Sequence, residues 1–325
     1  MKITAVETIF PLAEVFTISR GSRTEARVVT VTVERDGIRG CGESVPYARY
    51  GETVEGVIAE IMALEADFAN GLDRKGLQIK LPGGAARNAL DCALWDWEAK
   101  SAGERASVMA GVPHIGPEIT AYTLSLAEPD VMRAKAAEHA HRPLLKVKLG
   151  GEGDLDRLRA VREGAPKTDI IIDANEGWDA ATYTALAPVL VELGVKMVEQ
   201  PMPANDDDVL ATLDRVLPVC ADESCHDRTS LPALTGKYDM VNIKLDKTGG
   251  LTEALALKRE AEAAGFAIMI GCMVGSSLAM APATLLAQGA AFTDLDGPLL
   301  LAEDRDTPLK FDDKGVHPPE PALWG

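Results

Sequence analysis

Cysteine is scarce in this chain: five residues, Cys41, Cys92, Cys220, Cys225 and Cys272, with no C-x-x-C pair. An odd set of this kind excludes a disulfide framework and reads as reduced thiols in a cytoplasmic protein. Cys220 and Cys225 flank an acidic segment, but no second Cys/His cluster completes four ligands, so structural zinc is not expected. Positive charge is also short. Lys and Arg number 33 against 50 Asp and Glu, a formal net charge of -17. That balance argues against nucleic-acid and anionic-membrane partners, since both reward basic patches. It leaves a small-molecule substrate open, because a locally basic site can sit in an acidic surface. No stretch of about 18 apolar residues, the length that spans a bilayer, occurs, and the N-terminus MKITAVETIF has no apolar signal core. Nor is there a low-complexity linker. Homo-oligomerisation is left open by the sequence.

What is present falls into two regimes. Residues 1–118 begin with strand-like runs such as Arg27 to Glu34, followed by a turn at Asp36-Gly37 and helical stretches over about Thr53–Ala69 and Gly84–Lys100. This order is that of an α+β domain. Residues 119–302 instead alternate short apolar strands with helix-length segments: ITAYTLSL, LLKVKLG, IIIDAN, VKMVEQP, VCADES, MVNIKL, AIMIGCM and FTDLDG. Lys148, Asp173, Glu199, Asp222 and Lys244 follow one another at intervals of 25, 26, 23 and 22 residues, the length of a strand, a helix and two loops. Eight such units make an α/β protein of the (β/α)8-barrel type, capped by the α+β domain. The Pro-rich tail, 303–325, is expected to return onto the cap.

In such barrels the active site lies at the C-terminal ends of the strands. Those ends carry Thr123, Lys146 and Lys148, Asp173 and Asn175, Glu199, Asp222 with Glu223, Lys244 with Asp246, Cys272 and Met273, and Asp294 with Asp296. Burying so many ionisable groups is costly unless they act together. Asp173, Glu199 and Asp222 close three successive strands. Three converging carboxylates repel one another unless a hard cation neutralises them, and an oxygen-only set suits Mg2+. Lys148 closes the second strand and Lys244 the sixth, on opposite sides of an eight-strand ring. A carbonyl compound bound at the metal would hold its α-carbon between them. One lysine could then remove a proton while the other returns one to the opposite face. A lysine of ordinary pKa is almost wholly protonated at neutral pH; a neighbouring cation, such as Lys146 or the metal, favours the neutral amine.

KVKLG, DANEGW, VEQP, ADES and NIKLDKTGG together resemble the muconate-cycloisomerase-type branch of the enolase superfamily, along essentially the whole chain. The resemblance implies a modified TIM barrel, Lys148 and Lys244 as the bases, and Asp173, Glu199 and Asp222 as Mg2+ ligands. FTDLDG narrows it to the dipeptide epimerases, in which the two carboxylates corresponding to Asp294 and Asp296 hold the free α-ammonium. The implied reaction inverts the C-terminal residue of a dipeptide, L-Ala-Glu above others, in the recycling of cell-wall peptides. It further implies Lys146, Thr123 and Arg20 as substrate-binding residues, with Arg23 as the alternative to Arg20. The segment Pro46 to Thr53 is expected to close over the site, and Trp95 and Trp97 to belong to the core. Competing readings are a dipeptide epimerase of other side-chain preference, o-succinylbenzoate synthase or muconate cycloisomerase. From other classes come a Schiff-base lysine aldolase and a non-catalytic sugar- or peptide-binding barrel.

Overall fold

In the computed structural model, which describes residues 1–325, the N-terminal part is an antiparallel sheet covered by helices. Strands β1 (Lys2–Ile18), β2 (Gly21–Arg35) and β3 (Ile38–Ser44) pair in chain order. Val29, Val31 and Val33 recur with period two on β2 and are wholly buried, the pattern of a strand with one face on a core. Four helices follow: α1 (Val54–Met62), α2 (Glu65–Ala69), α3 (Arg74–Lys80) and α4 (Ala85–Ala102). α4 lies directly on β3, where a Cβ at Gly40 or Gly42 would strike the backbone carbonyl of Ala93 or Ala89. Glycine at those two positions allows the close approach.

The helix expected over Thr53–Ala69 is split at Ala63–Leu64, and α3 was not anticipated. β1 also runs further than the sequence suggested. Phe16, Thr17 and Ile18 pair with Arg23, Ser22 and Gly21, so Arg20 sits in a hairpin turn and Arg23 on β2.

After a short helix α5 (Ala106–Met109) come eight parallel strands: β4 (Tyr122–Leu124), β5 (Leu144–Lys148), β6 (Asp169–Asp173), β7 (Val195–Glu199), β8 (Val219–Ala221), β9 (Met240–Ile243), β10 (Ala267–Ile270) and β11 (Phe292–Thr293). Each is hydrogen-bonded to the next in sequence. The ring closes only through a single parallel bridge, Thr120 to Thr293, because the first and eighth strands are shorter than the sequence implied. Ala121, Leu144, Ile171, Met197, Cys220, Met240 and Met269 fill the barrel floor as one apolar cluster. Side chains two residues further along a strand point to the same interior. That phase places Lys146, Asp173, Glu199, Asp222 and Asn242 in the layer above.

Cap and barrel are joined by buried polar contacts. Asn88 on α4 donates to Asp246 (2.8 Å), which also accepts the Val45 N–H (2.9 Å), while Asp91 accepts from the Thr252 N–H (2.9 Å). Arg87 donates to the carbonyls of Thr248 and Gly249. The segment following Lys244 is thus pinned to α4. The tail also lies against the cap: Arg305 pairs with Glu43, and the Trp324 indole donates to the Cys92 carbonyl. All five cysteines are free thiols, and no helix is long and apolar enough to cross a membrane.

Candidate active site

Strand register brings the acidic residues together. Lys148 pairs across the sheet with Asp173, Asp173 with Glu199, and Glu199 with Cys220, two residues before Asp222. One oxygen from each of Asp173, Glu199 and Asp222 lies within 4.8 Å of the others, and all three residues are buried. Four lysines surround them. Lys148 donates to Asp173 (2.6 Å), Lys244 to Asp222 (2.7 Å) and Lys247 to the other Asp222 oxygen (2.6 Å). Lys146, 1% exposed, lies 2.6 Å from Glu199, 2.7 Å from Asp294 and 3.3 Å from Asp173.

Burial opposes every charge in this layer, and the partners decide which way each group moves. At Asp173 the ammoniums of Lys148 and Lys146 outweigh burial and hold the carboxyl below its ordinary pKa; at Asp222 Lys244 and Lys247 do the same. Glu199 goes the other way, pushed up by burial and by the Asp173 charge. Its Oε2 has no well-directed hydrogen bond although Lys146 is close. For Lys244, burial lowers the pKa but Asp222 and Glu199 outweigh it, and the ammonium is held well above its usual range. Lys146, held charged by Asp294, Glu199 and Asp173 against its own burial, acts on Lys244 as a neighbouring cation that lowers its pKa, but Asp222 and Glu199 outweigh it. An incompletely satisfied, oxygen-only, three-carboxylate cluster fits a hard divalent cation.

At the end of β11, Asp296 accepts the Thr123 N–H (2.6 Å), and Asp294 has one oxygen on Lys146 and the other, Oδ1, buried without a partner. Burial and the neighbouring Asp294 charge raise the Asp296 pKa. Lys146, Lys148, Lys244, Thr123, Asp222, Asp294 and Asp296 line one cavity beneath the β1–β2 hairpin.

Arg20 and Arg23 have different surroundings. Arg20 is taken up by protein groups: it donates to the Asn175 carbonyl (3.0 Å) and the Tyr47 hydroxyl (3.0 Å), and pairs with Glu223 (2.8 Å) and Glu176 (3.3 Å). Arg23 has no ion pair. Its guanidinium lies 5.2 Å from the Tyr47 ring centre and faces the same cavity. Arg20 lines that cavity too, so both arginines expected from the sequence reach it.

The sequence alone does not single out Asn242, Gln200 or Glu176. Asn242, in phase with Lys244, donates to Glu199 (2.7 Å). Gln200 accepts from the N–H groups of Asp222 and Ser224 (2.9 and 3.1 Å) and so shapes the loop that presents Asp222. Gln200, Asn175 and Glu176 all have positive φ (34°, 43° and 66°), a conformation non-glycine residues adopt at a cost of order 1–3 kcal/mol each. The strained Glu176 collects two arginines of the cap: Arg49 in two hydrogen bonds (2.8 and 3.0 Å) and Arg20 in one. Residues 46–53 are held over the barrel mouth by that contact and by Tyr50 against His226 (4.7 Å). Period two could have flagged Asn242; the charge-gathering role of Glu176 depends on two loops meeting and has no local signal.

Comparison with known proteins gives the following. Residues 1–109 match the model "Mandelate racemase / muconate lactonizing enzyme, N-terminal domain", and residues 131–321 match "Enolase C-terminal domain-like". The chain is 48% identical to the L-Ala-D/L-Glu epimerase of Escherichia coli (strain K12), covering 96% of this chain and 98% of that protein. It is 43% identical to an N-acetyl-D-glutamate racemase from a Pseudoalteromonas species, covering 92% and 95%. Among solved structures, an enolase family member from Agrobacterium tumefaciens with homology to dipeptide epimerases, with bound sodium and L-Ala-L-Glu, superposes with a TM-score of 0.98 at 54% identity, covering 99% of both chains.

Proposed function

This chain belongs to the mandelate racemase / muconate lactonizing enzyme family of the enolase superfamily, and from that premise we propose that it is a Mg2+-dependent dipeptide epimerase inverting the C-terminal residue of L-Ala-Glu. The observation that carries the reading is the arrangement of Lys148 and Lys244, each against its own carboxylate of the Asp173, Glu199, Asp222 cluster, in one cavity with Asp294 and Asp296.

Asp173, Glu199 and Asp222 would hold the divalent cation, whose positive charge would lower the cost of losing the α-proton. The protein's own residues do the rest. In one direction the neutral amine of one lysine takes the α-proton as the C–H bond breaks. The ammonium of the other lysine then delivers a proton to the opposite face, and the new C–H bond has inverted configuration. In the reverse direction the two exchange roles. Lys146, whose ammonium is favoured by Asp294, Glu199 and Asp173 against its burial, stabilises negative charge on the substrate carboxylate. Asp294, with a free buried oxygen, and Asp296, oriented by the Thr123 N–H, receive the dipeptide's α-ammonium. Arg23, the cavity arginine without an anionic partner, meets the glutamyl side-chain carboxylate, and Arg20 holds the closed loops together. The free thiols suit a reducing cytoplasm, where released cell-wall peptides would be recycled.

The relative that acts on N-acetyl-glutamate makes the blocked amine the competing substrate, since such a compound has no ammonium for Asp294. Steady-state kinetics on L-Ala-L-Glu, N-acetyl-L-glutamate and L-Ala-L-Leu separate the readings. L-Ala-L-Glu is expected to have the highest kcat/KM, by about 30–100-fold over either comparator, the range of one lost charge-assisted contact. A higher value for N-acetyl-L-glutamate would replace dipeptide epimerisation with N-acylamino-acid racemisation. A higher value for L-Ala-L-Leu would remove the glutamate preference.

A further inference from the structure

A second cavity opens beside the catalytic one and is larger, about 340 Å3 against about 80 Å3. The two share three lining residues: Phe16 on β1, Thr123 on β4, and Leu300 in the turn after β11. These stand at the ammonium end of the site, because the Thr123 N–H is bound to Asp296 and Leu300 follows Asp296 by one short turn of chain. Beyond the partition the second cavity lies between the β1–β2 hairpin and helix α6 (Pro129–Glu138).

Its chemistry is apolar. Leu124, Leu126, Ala127 and Met132 line it. The charges at its rim are drawn together: one ammonium, Lys135, lies 2.5 Å from Glu14 and 3.2 Å from Glu138. No other lysine or arginine lines the cavity to recognise an anionic ligand, and none of the chemistry described above uses this space.

We infer that the second cavity is a subsite for the side chain of the dipeptide's N-terminal residue, and that Phe16 and Leu300 are the partition that holds this enzyme to small residues such as alanine. The inference rests on the proposed dipeptide reading. With the ammonium on Asp294 and Asp296, the side chain on the adjoining carbon reaches the partition first. A methyl group stops short of it; a leucine or phenylalanine side chain needs the apolar space behind. Removing the Phe16 ring merges the two cavities, while the backbone pairing of residue 16 with Arg23 is kept.

The test uses the full chain supplied with Mg2+ and measures kcat/KM for L-Leu-L-Glu relative to L-Ala-L-Glu. Phe16→Ala is expected to raise that ratio at least about tenfold, the worth of one or two buried methylenes, and Leu300→Ala to raise it in the same direction. Adding Ala127→Phe, at a residue that lines the second cavity and not the catalytic one, is expected to return the Phe16→Ala ratio towards that of the parent. An unchanged ratio in both single variants would overturn the subsite. So would a gain that Ala127→Phe leaves intact, because the extra room would then lie in the catalytic cavity itself. Failure of the parent to invert any dipeptide would instead remove the dipeptide reading, and the subsite with it.

Discussion

Lys148→Ala and Lys244→Ala are each expected to lose net inversion of L-Ala-L-Glu by about 10³–10⁴-fold, equivalent to about 4–5 kcal/mol of barrier. The two variants should nevertheless differ. Each retains one lysine on one face of the α-carbon, and that lysine can still remove a proton, exchange it with solvent and return it to the same face. In D2O, therefore, one variant should label only L-Ala-L-Glu and the other only L-Ala-D-Glu, read by the loss of the α-proton NMR signal. Labelling of the same isomer by both variants, or full turnover by either, would contradict a two-base site. Removing a lysine also leaves a buried carboxylate less well paired. Asp173 keeps Lys146 at 3.3 Å, and Asp222 keeps Lys247 at 2.6 Å, so both variants should remain folded, which a thermal melt checks independently.

Stripping divalent ions should have the second large effect. Asp173, Glu199 and Asp222 meet within 4.8 Å in a buried layer, and Glu199 Oε2 has no well-directed hydrogen bond there. Dialysis against a chelator is expected to lower turnover by at least about 100-fold, and Mg2+ to restore it, because the charge that forms beside the substrate carboxylate then lacks its main stabilisation. Glu199→Gln removes one anionic ligand while keeping the Asn242 contact available. It should raise the Mg2+ concentration needed for half-maximal activity. Undiminished turnover in chelator would rule out a required metal.

Much of this was legible in the sequence because barrel strands convert linear spacing into geometry. Intervals of 22–26 residues place Lys148, Asp173, Glu199, Asp222 and Lys244 on successive strand ends, and the period-two phase above Leu144, Ile171, Met197 and Cys220 turns them inward. The same regularity explains the misses. The first and eighth strands have only three and two residues in the sheet, because loops take over where the cap covers the mouth. The sequence favours Arg20 over Arg23 but does not show what holds Arg20, which depends on a hairpin turn and on partners more than 150 residues away, Asn175 and Glu176. Phe16 reads locally as one more apolar strand residue. Its place between two cavities arises only when the hairpin meets β4 and the turn after β11.

The most direct test of the central claim is to incubate the unmodified enzyme with L-Ala-L-Glu and Mg2+ in D2O and analyse the glutamyl residue for configuration and mass. The account predicts L-Ala-D-Glu one dalton heavier than the starting dipeptide, with the deuterium on the glutamyl α-carbon. Recovery of L-Ala-L-Glu with neither inversion nor label would contradict proton transfer at that carbon and, with it, the assignment of a dipeptide epimerase.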